Sequence, residues 1–326
     1  MGDKNQNLNA AKTAKADEFY TPFELIYHEV KHNRKVYAGK TVLCNCDDPR
    51  TSEFFSFFVR NFDKLDLKKV NCVSYKKRER SLLSTEAPEV AECVEYTGGA
   101  YNFEDIEIKP LRGDGDFRNN ETLRLLTEAD IVATNPPFSL MREYVAQLMR
   151  YEKDFLILAP LPYGGTTAGF RNIQANRMRL GITLRRKGAH FARPSGELVK
   201  LGNVRWFTNF GRPRKVPPLE LTAAYDEELH PHYDNYAAIE VPTIKDIPGD
   251  YDGVMGVPVS FLDRHNPEQF ELLGCTQPHV QGGLHTKYYT AKDRHSPSGG
   301  DVTAAIKTAD GYRMAFQRLL IRKIGA

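Results

Sequence analysis

The chain has 326 residues, a charged fraction of 27%, an aromatic fraction of 11% and a formal net charge of +3. That length allows one large domain or two small ones. No stretch of about 18 apolar residues occurs, so no membrane-spanning helix is expected. The five cysteines form no CxxC pair, so no metal site is expected and reduced thiols in a cytoplasmic protein are the simple reading.

The small net charge hides an asymmetry. Residues 1–159 carry 23 basic against 26 acidic side chains, and residues 160–326 carry 22 against 16. Between Arg171 and Lys215 there are 12 basic residues and one acid, Glu197, an excess suited to a polyanionic partner.

Residues 1–16 are rich in Asn, Lys and Ala without an apolar signal segment, which predicts a disordered arm. Tyr20-Thr21-Pro22 precedes a helical stripe of Phe23, Ile26, Tyr27 and Val30, with Thr21 as the expected cap and Pro22 in the first turn. Thr41 to Cys46 reads as a buried strand ending at Asp47-Asp48-Pro49. A helix over Ser52 to Phe62 follows, its Phe54, Phe55, Phe58 and Phe62 facing the core. Lys69 to Tyr75 is the second strand and no acid ends it. Residues 76–99 read as a polar excursion. Glu104 to Leu111 is the third strand, running into Gly113-Asp114-Gly115-Asp116-Phe117. A short helix over Glu121 to Glu128 leads to Asp130-Ile131-Val132-Ala133-Thr134, a buried strand that must leave the sheet at Asn135-Pro136-Pro137-Phe138. Ser139 is the expected cap of the next helix, whose positions 141, 144, 145, 148 and 149 share an apolar face.

A further strand over Phe155 to Ala159, a helix over Thr167 to Gln174, and strands over Leu180 to Leu184 and Asn203 to Phe210 complete a strand–helix alternation. That pattern predicts an α/β protein with a doubly wound parallel sheet. The Arg-, Lys- and Gly-rich insertion 185–202 is expected as an edge hairpin. From Arg212 the pattern becomes irregular, with a helix start expected at Asn266-Pro267, a Gly/Ser/His-rich stretch over 278–300 and a last strand within Arg313 to Lys323.

Asn135-Pro136-Pro137-Phe138 after a strand resembles the fourth motif of the amino-methyltransferases, Gly-Asp-Phe at 115–117 their third, and Tyr-Thr-Pro at 20–22 the motif before the first helix of the N6-adenine enzymes. Together with Cys44-Asn45-Cys46-Asp47-Asp48-Pro49-Arg50 and Gly253-Val254-Met255-Gly256-Val257-Pro258, the order resembles the EcoRI-type adenine-specific DNA methyltransferases over about residues 17 to 273. The turn at 47–52 departs from the wider class, since Arg50, Thr51 and Ser52 stand where glycines are usual.

The resemblance implies a Rossmann-like class I methyltransferase sheet over 17–211 and a C-terminal α+β target-recognition region over 212–326. It implies transfer of a methyl group from S-adenosyl-L-methionine to N6 of an adenine flipped out of double-stranded DNA. Asn135 and the Pro136 carbonyl would accept hydrogen bonds from the amine, Pro137 would stiffen the turn and Phe138 would stack on the base. Tyr20, Thr21, Pro22, Asn45, Asp47, Asp48, Pro49, Asp116 and Phe117 would hold the cofactor, with Asp47 standing in for the ribose-binding acid that related enzymes often carry at the end of the second strand. Arg185, Arg186, Lys187, Arg193, Arg212 and Arg214 would face DNA, and a cognate restriction endonuclease is a possible partner. An RNA or protein-amide methyltransferase and a catalytically silent DNA-binding protein are the alternatives.

Overall fold

The computed structural model describes residues 20–76, 90–99, 106–185, 188–193, 195–277, 284–289 and 302–325. The expected N-terminal arm and most of the 278–300 stretch lie outside them. The chain divides into two compact units. One holds the described residues up to Pro160 together with Arg179–Pro213, and the other holds Leu161–Met178 and the chain from Arg214 onward.

The first unit is built on an eight-stranded mixed sheet. Its strands are β1 (Thr41–Asn45), β2 (Lys69–Val73), β3 (Glu92–Tyr96), β4 (Ile108–Pro110), β5 (Ile131–Thr134), β6 (Asp154–Pro160), β7 (Arg179–Leu180) and β10 (Val204–Thr208). A separate hairpin pairs β8 (Ala189–Ala192) with β9 (Leu198–Leu201). The sheet order is β4-β3-β2-β1-β5-β6-β10-β7. Its centre, β2-β1-β5-β6, is parallel, whereas β3, between β2 and β4, and β10, between β6 and β7, run antiparallel to their neighbours.

Strand alternation separates two faces. On one, Val42, Cys44, Val70, Cys72, Ile131, Ala133, Leu156 and Leu158 share a core with Ile26 and Val30 of helix α1 (Phe23–Val30) and Phe54, Phe55, Phe57 and Phe58 of α2 (Glu53–Arg60). The short α3 (Phe62–Leu65) follows, with Phe62 also in that core. α4 (Asn120–Glu128) packs against β1, and α5 (Met141–Arg150) packs against β6. Tyr144 of α5 donates its hydroxyl to Asn45 Oδ1, on the face opposite that core.

Several elements depart from expectation. Thr21 does not cap α1: Pro22 occupies the cap position and Thr21 is buried. Ser139 does not cap α5 either, because Phe138–Leu140 form a 3₁₀ turn closed by Leu140 N–H donating to the Pro137 carbonyl at 3.0 Å. The stretch read as a polar excursion contains β3, whose exposed Glu95 points away from the core face carrying Val94 and Tyr96.

The second unit carries α6 (Thr167–Gln174) and a four-stranded sheet of order β11-β12-β16-β13, from β11 (Ile239–Glu240), β12 (Met255–Pro258), β13 (Phe270–Cys275) and β16 (Arg318–Lys323). A hairpin of β14 (Ala304–Thr308) and β15 (Gly311–Ala315) accompanies it. Asn266-Pro267 opens a turn rather than a helix: the Asn266 side chain accepts from Glu268 N–H at 2.8 Å and the chain enters β13. α6 belongs to this unit because Gln174 Nε2 donates to the Leu272 carbonyl at 2.9 Å. Arg318 of β16 forms a buried pair with Glu240 of β11, and the Tyr233 hydroxyl donates to the same carboxylate.

Glu29 of α1 is buried and accepts from the Ile182 and Thr183 N–H groups at 2.7 and 2.8 Å and from Thr183 Oγ1 at 2.6 Å. Glu29→Ala leaves two backbone donors unpaired and should cost about 3 kcal/mol in denaturant unfolding, whereas Glu29→Gln should recover part of it.

Candidate active site

β1 and β5 are parallel neighbours, with Val42 opposite Ile131 and Leu43 opposite Val132. The turns that follow them therefore leave the sheet at one edge, where open α/β sheets bind ligands. Asn135 is half-buried, Pro136 buried and Phe138 half-buried, its ring packed against the core beneath α1 and α2.

The turn after β1 is shaped without glycine. Cys46 takes φ 72°, a left-handed conformation that glycine usually supplies. Hydrogen bonds hold it there. Asp47 N–H donates to the Val73 carbonyl at 3.1 Å, and Ser52 Oγ donates to Asp47 Oδ1 at 2.9 Å while capping α2 through Phe55 N–H. The Thr134 hydroxyl meets both the Asn45 carbonyl and Asp47 Oδ2. Burial pushes the Asp47 carboxyl up to about 7, against the opposing effect of the Thr134 and Ser52 contacts, and neighbouring Asp48 adds to the rise. Both Asp47 carboxyl oxygens are thus engaged within the fold, by Ser52 and Thr134. Asp48 accepts from Arg50 N–H at 2.9 Å and pairs with Lys76 at 3.2 Å; Pro49 is buried.

The loop after β4 is locked by Gly115, whose φ is +76° and whose Cβ, if present, would lie 1.9 Å from the Ser74 carbonyl oxygen. Asp114 accepts from Asp116 N–H at 3.0 Å and Asn119 Nδ2 at 2.6 Å. Arg118 holds the Asp116 carboxyl below the usual carboxylate range, donating N–H and Nε–H to Oδ1 at 2.9 and 2.8 Å and Nη2–H to Oδ2 at 2.7 Å. Phe117 is buried edge-on to Tyr144, ring centroids 5.1 Å apart.

α5 ties these turns together. Besides the Tyr144 contacts, Gln147 Nε2 donates to the Phe117 carbonyl at 2.8 Å and Glu143 accepts from Arg118 at 2.9 Å. Reading the sequence missed Thr134, Tyr144, Glu143, Gln147, Ser52 and Arg118. Tyr144 was legible only as part of an apolar stripe, although its hydroxyl needs a partner when buried. Tyr20 is exposed and bridges to Ala192 of β8, with Tyr20 N–H donating to the Ala192 carbonyl at 2.7 Å. Thr21 is 4% exposed and its hydroxyl has no hydrogen-bond partner among the described residues.

The basic segment is partly consumed by the fold. Arg179 donates to the Asn209, Phe210 and Gly211 carbonyls, and Arg205 is buried. Arg214, expected at a DNA surface, has its side chain 6% exposed with Nη1 3.6 Å from Asp263, and a further bond to the Leu262 carbonyl. Arg193 pairs with Glu197 at 2.9 Å. Arg185 and Arg212 are exposed, while Arg186 and Lys187 lie outside the described residues.

The Asn135–Phe138 turn and the turns carrying Asp47, Asp48 and Asp116 all follow sheet strands, the placement of a ligand site in an α/β enzyme. The family described as "Adenine-specific methyltransferase EcoRI" matches residues 7–324. The Type II methyltransferase M.EcoRI of Escherichia coli is 42% identical over 82% of this chain and 89% of its own length. M.MgeORF184P of Mycoplasma genitalium is 34% identical over 82% and 86%, and M.MpnI of Mycoplasma pneumoniae 35% over 82% and 85%; both are also named Type II methyltransferases. No solved structure is significantly similar. The chain belongs to the EcoRI family of adenine-specific methyltransferases, and it is a transferase.

Two tests follow from this geometry. Gly115→Ala adds a Cβ that collides with a backbone oxygen at positive φ, and should lower unfolding free energy by about 2 kcal/mol or more. The native state holds the Asp47 proton more tightly than the unfolded chain does. Its stabilising effect is complete at low pH and is lost as pH rises from about 4 to about 7. Relative to Asp47→Asn, the wild type should lose up to about 1.4 kcal/mol per pH unit across that window. Parallel urea-denaturation curves for the two proteins at every pH would contradict the assignment.

Proposed function

We propose that the chain methylates N6 of adenine in double-stranded DNA, using S-adenosyl-L-methionine, on a doubly wound Rossmann-like sheet formed by its first unit. The observation that carries this reading is the Asn135–Phe138 turn at the end of β5, beside the cofactor-type turns that α5 links.

The residues present fit that cofactor. Thr21 offers a buried hydroxyl lacking a partner among the described residues. Asp116 is ionised, and Arg118 uses three of a carboxylate's roughly four acceptor positions, leaving one on Oδ2 for an amine donor. The missing Cβ of Gly115 lets its loop lie against the end of β2. Asp116 and Thr21, with Tyr20, Pro22, Asn45, Asp48 and Pro49 around them, would hold the cofactor, while Asp47 and Phe117 shape the turns from beneath. S-adenosyl-L-methionine, when bound, supplies an electrophilic methyl group.

The adenine amine is a poor nucleophile because its lone pair is delocalised into the ring. Acceptance of its two N–H groups by the Asn135 side-chain carbonyl and the Pro136 carbonyl favours a tetrahedral nitrogen with the lone pair directed outward. Pro137, at φ −58°, fixes the turn, and Phe138, half-buried against the core, is the proposed stacking partner of a base flipped from the duplex. Arg185, Arg186, Lys187, Arg193 and Arg212 are the proposed phosphate contacts; Arg214 is left out because Asp263 occupies it. The second unit, with the chain from Arg214 onward, is the proposed target-recognition region, and a restriction endonuclease of the same specificity is the proposed biological partner.

Asn135→Ala should reduce methyl transfer to DNA by at least about 10²-fold, with cofactor affinity by calorimetry within about threefold of wild type. Near-normal transfer by this variant would reject the role of Asn135.

A further inference from the structure

The Thr134 side chain is buried at the junction of the two turns, one residue before Asn135. Its oxygen lies against two acceptors on the other turn, the Asn45 carbonyl and Asp47 Oδ2. A hydroxyl has one hydrogen to donate. Both contacts are hydrogen bonds when Thr134 donates to the Asn45 carbonyl and the Asp47 carboxyl, in its protonated form, donates to Thr134 Oγ1. Ser52 then donates to the other Asp47 oxygen, carrying the link to the cap of α2. Tyr144 closes the same junction from α5, through Asn45 Oδ1. Asp48 on the same turn is occupied by Lys76, and the Cys72 thiol on β2 donates to the Asp47 carbonyl at 3.3 Å.

We propose that Thr134 is a positioning residue for methyl transfer: its hydroxyl joins the Asn45–Asp47 turn to the residue preceding Asn135, fixing the amine-accepting side chain relative to the cofactor turn. This rests on the assignment of Asn135 to the transfer step. The parallel ladder sets the two strands side by side but its last pair is Leu43 opposite Val132, and the strands end at Asn45 and Thr134, so the turns beyond need their own tie. A methyl-bearing residue without the hydroxyl fills the same volume and leaves that tie open, along with a buried carbonyl and carboxyl.

The test uses full-length Thr134→Val, Thr134→Ser and Asn135→Ala, with labelled S-adenosyl-L-methionine and phage DNA from a methylation-free host. Single-turnover transfer, cofactor affinity by calorimetry and thermal melting are measured on each. Thr134→Val should fold, bind cofactor within about threefold of wild type, and transfer about tenfold more slowly, the worth of one hydrogen bond in a transition state. Thr134→Ser should return to within about threefold of wild type. Where Thr134→Val does not melt cooperatively, Thr134→Ala carries the same comparison. The proposal is overturned by a hydroxyl-free variant that transfers at the wild-type rate, or by a serine variant as slow as valine. It is also overturned if the loss lies wholly in cofactor affinity, which a merely structural role would produce. An inactive Asn135→Ala beside a fully active Thr134→Val would reject this inference alone; an active Asn135→Ala would reject the role of Asn135 itself.

Discussion

The parallel pairing of β1 with β5 is the constraint on which the site depends. Parallel neighbours end at the same edge of a sheet, so the turns at Asn45–Pro49 and Asn135–Phe138, about ninety residues apart in sequence, leave side by side. Antiparallel pairing would have sent one of them to the opposite edge. The apolar runs of both strands, buried on each face, stabilise that arrangement. Everything chemical at this edge is then a matter of holding loops, and α5 does much of it through Glu143, Tyr144 and Gln147.

The glycine-poor turn after β1 shows how a motif can keep its shape with different residues. Cys46 adopts the left-handed conformation at some conformational cost. Hydrogen bonds that Asp47 makes with Ser52, with Thr134 and, through its N–H, to the Val73 carbonyl offset it. The same network engages both oxygens of the Asp47 carboxyl, so this acid serves the turn's own geometry.

The central strands and the paired helices were legible because their signal is local: apolar runs stopped by Asp-Pro or Pro-Pro, and a phenylalanine stripe at helical spacing. β1, β2, β5, β6 and α6 fall within a residue or two of their expected bounds. β3 was not legible, since its two glutamates, Glu92 and Glu95, fall on opposite faces and break the alternation, so it read as a solvated loop until β2 and β4 lie on either side. Ser139 looked like a helix cap, but the diproline turn ran on into a 3₁₀ turn and used the donors first. In the site, residue types at motif positions could be read directly. The hydrogen-bond partners could not, because Thr134–Asp47 and Tyr144–Asn45 are tertiary pairs. Nor does charge in a sequence reveal which cations the interior consumes, as Arg179, Arg205 and Arg214 illustrate.

The identity of the modified atom is the point on which the whole account turns. DNA from a methylation-free host, incubated with the purified chain and S-adenosyl-L-methionine, can be mapped base by base by single-molecule sequencing. The account predicts N6-methyladenine confined to one recurring sequence. Unmodified DNA, or methyl groups on cytosine, would contradict it.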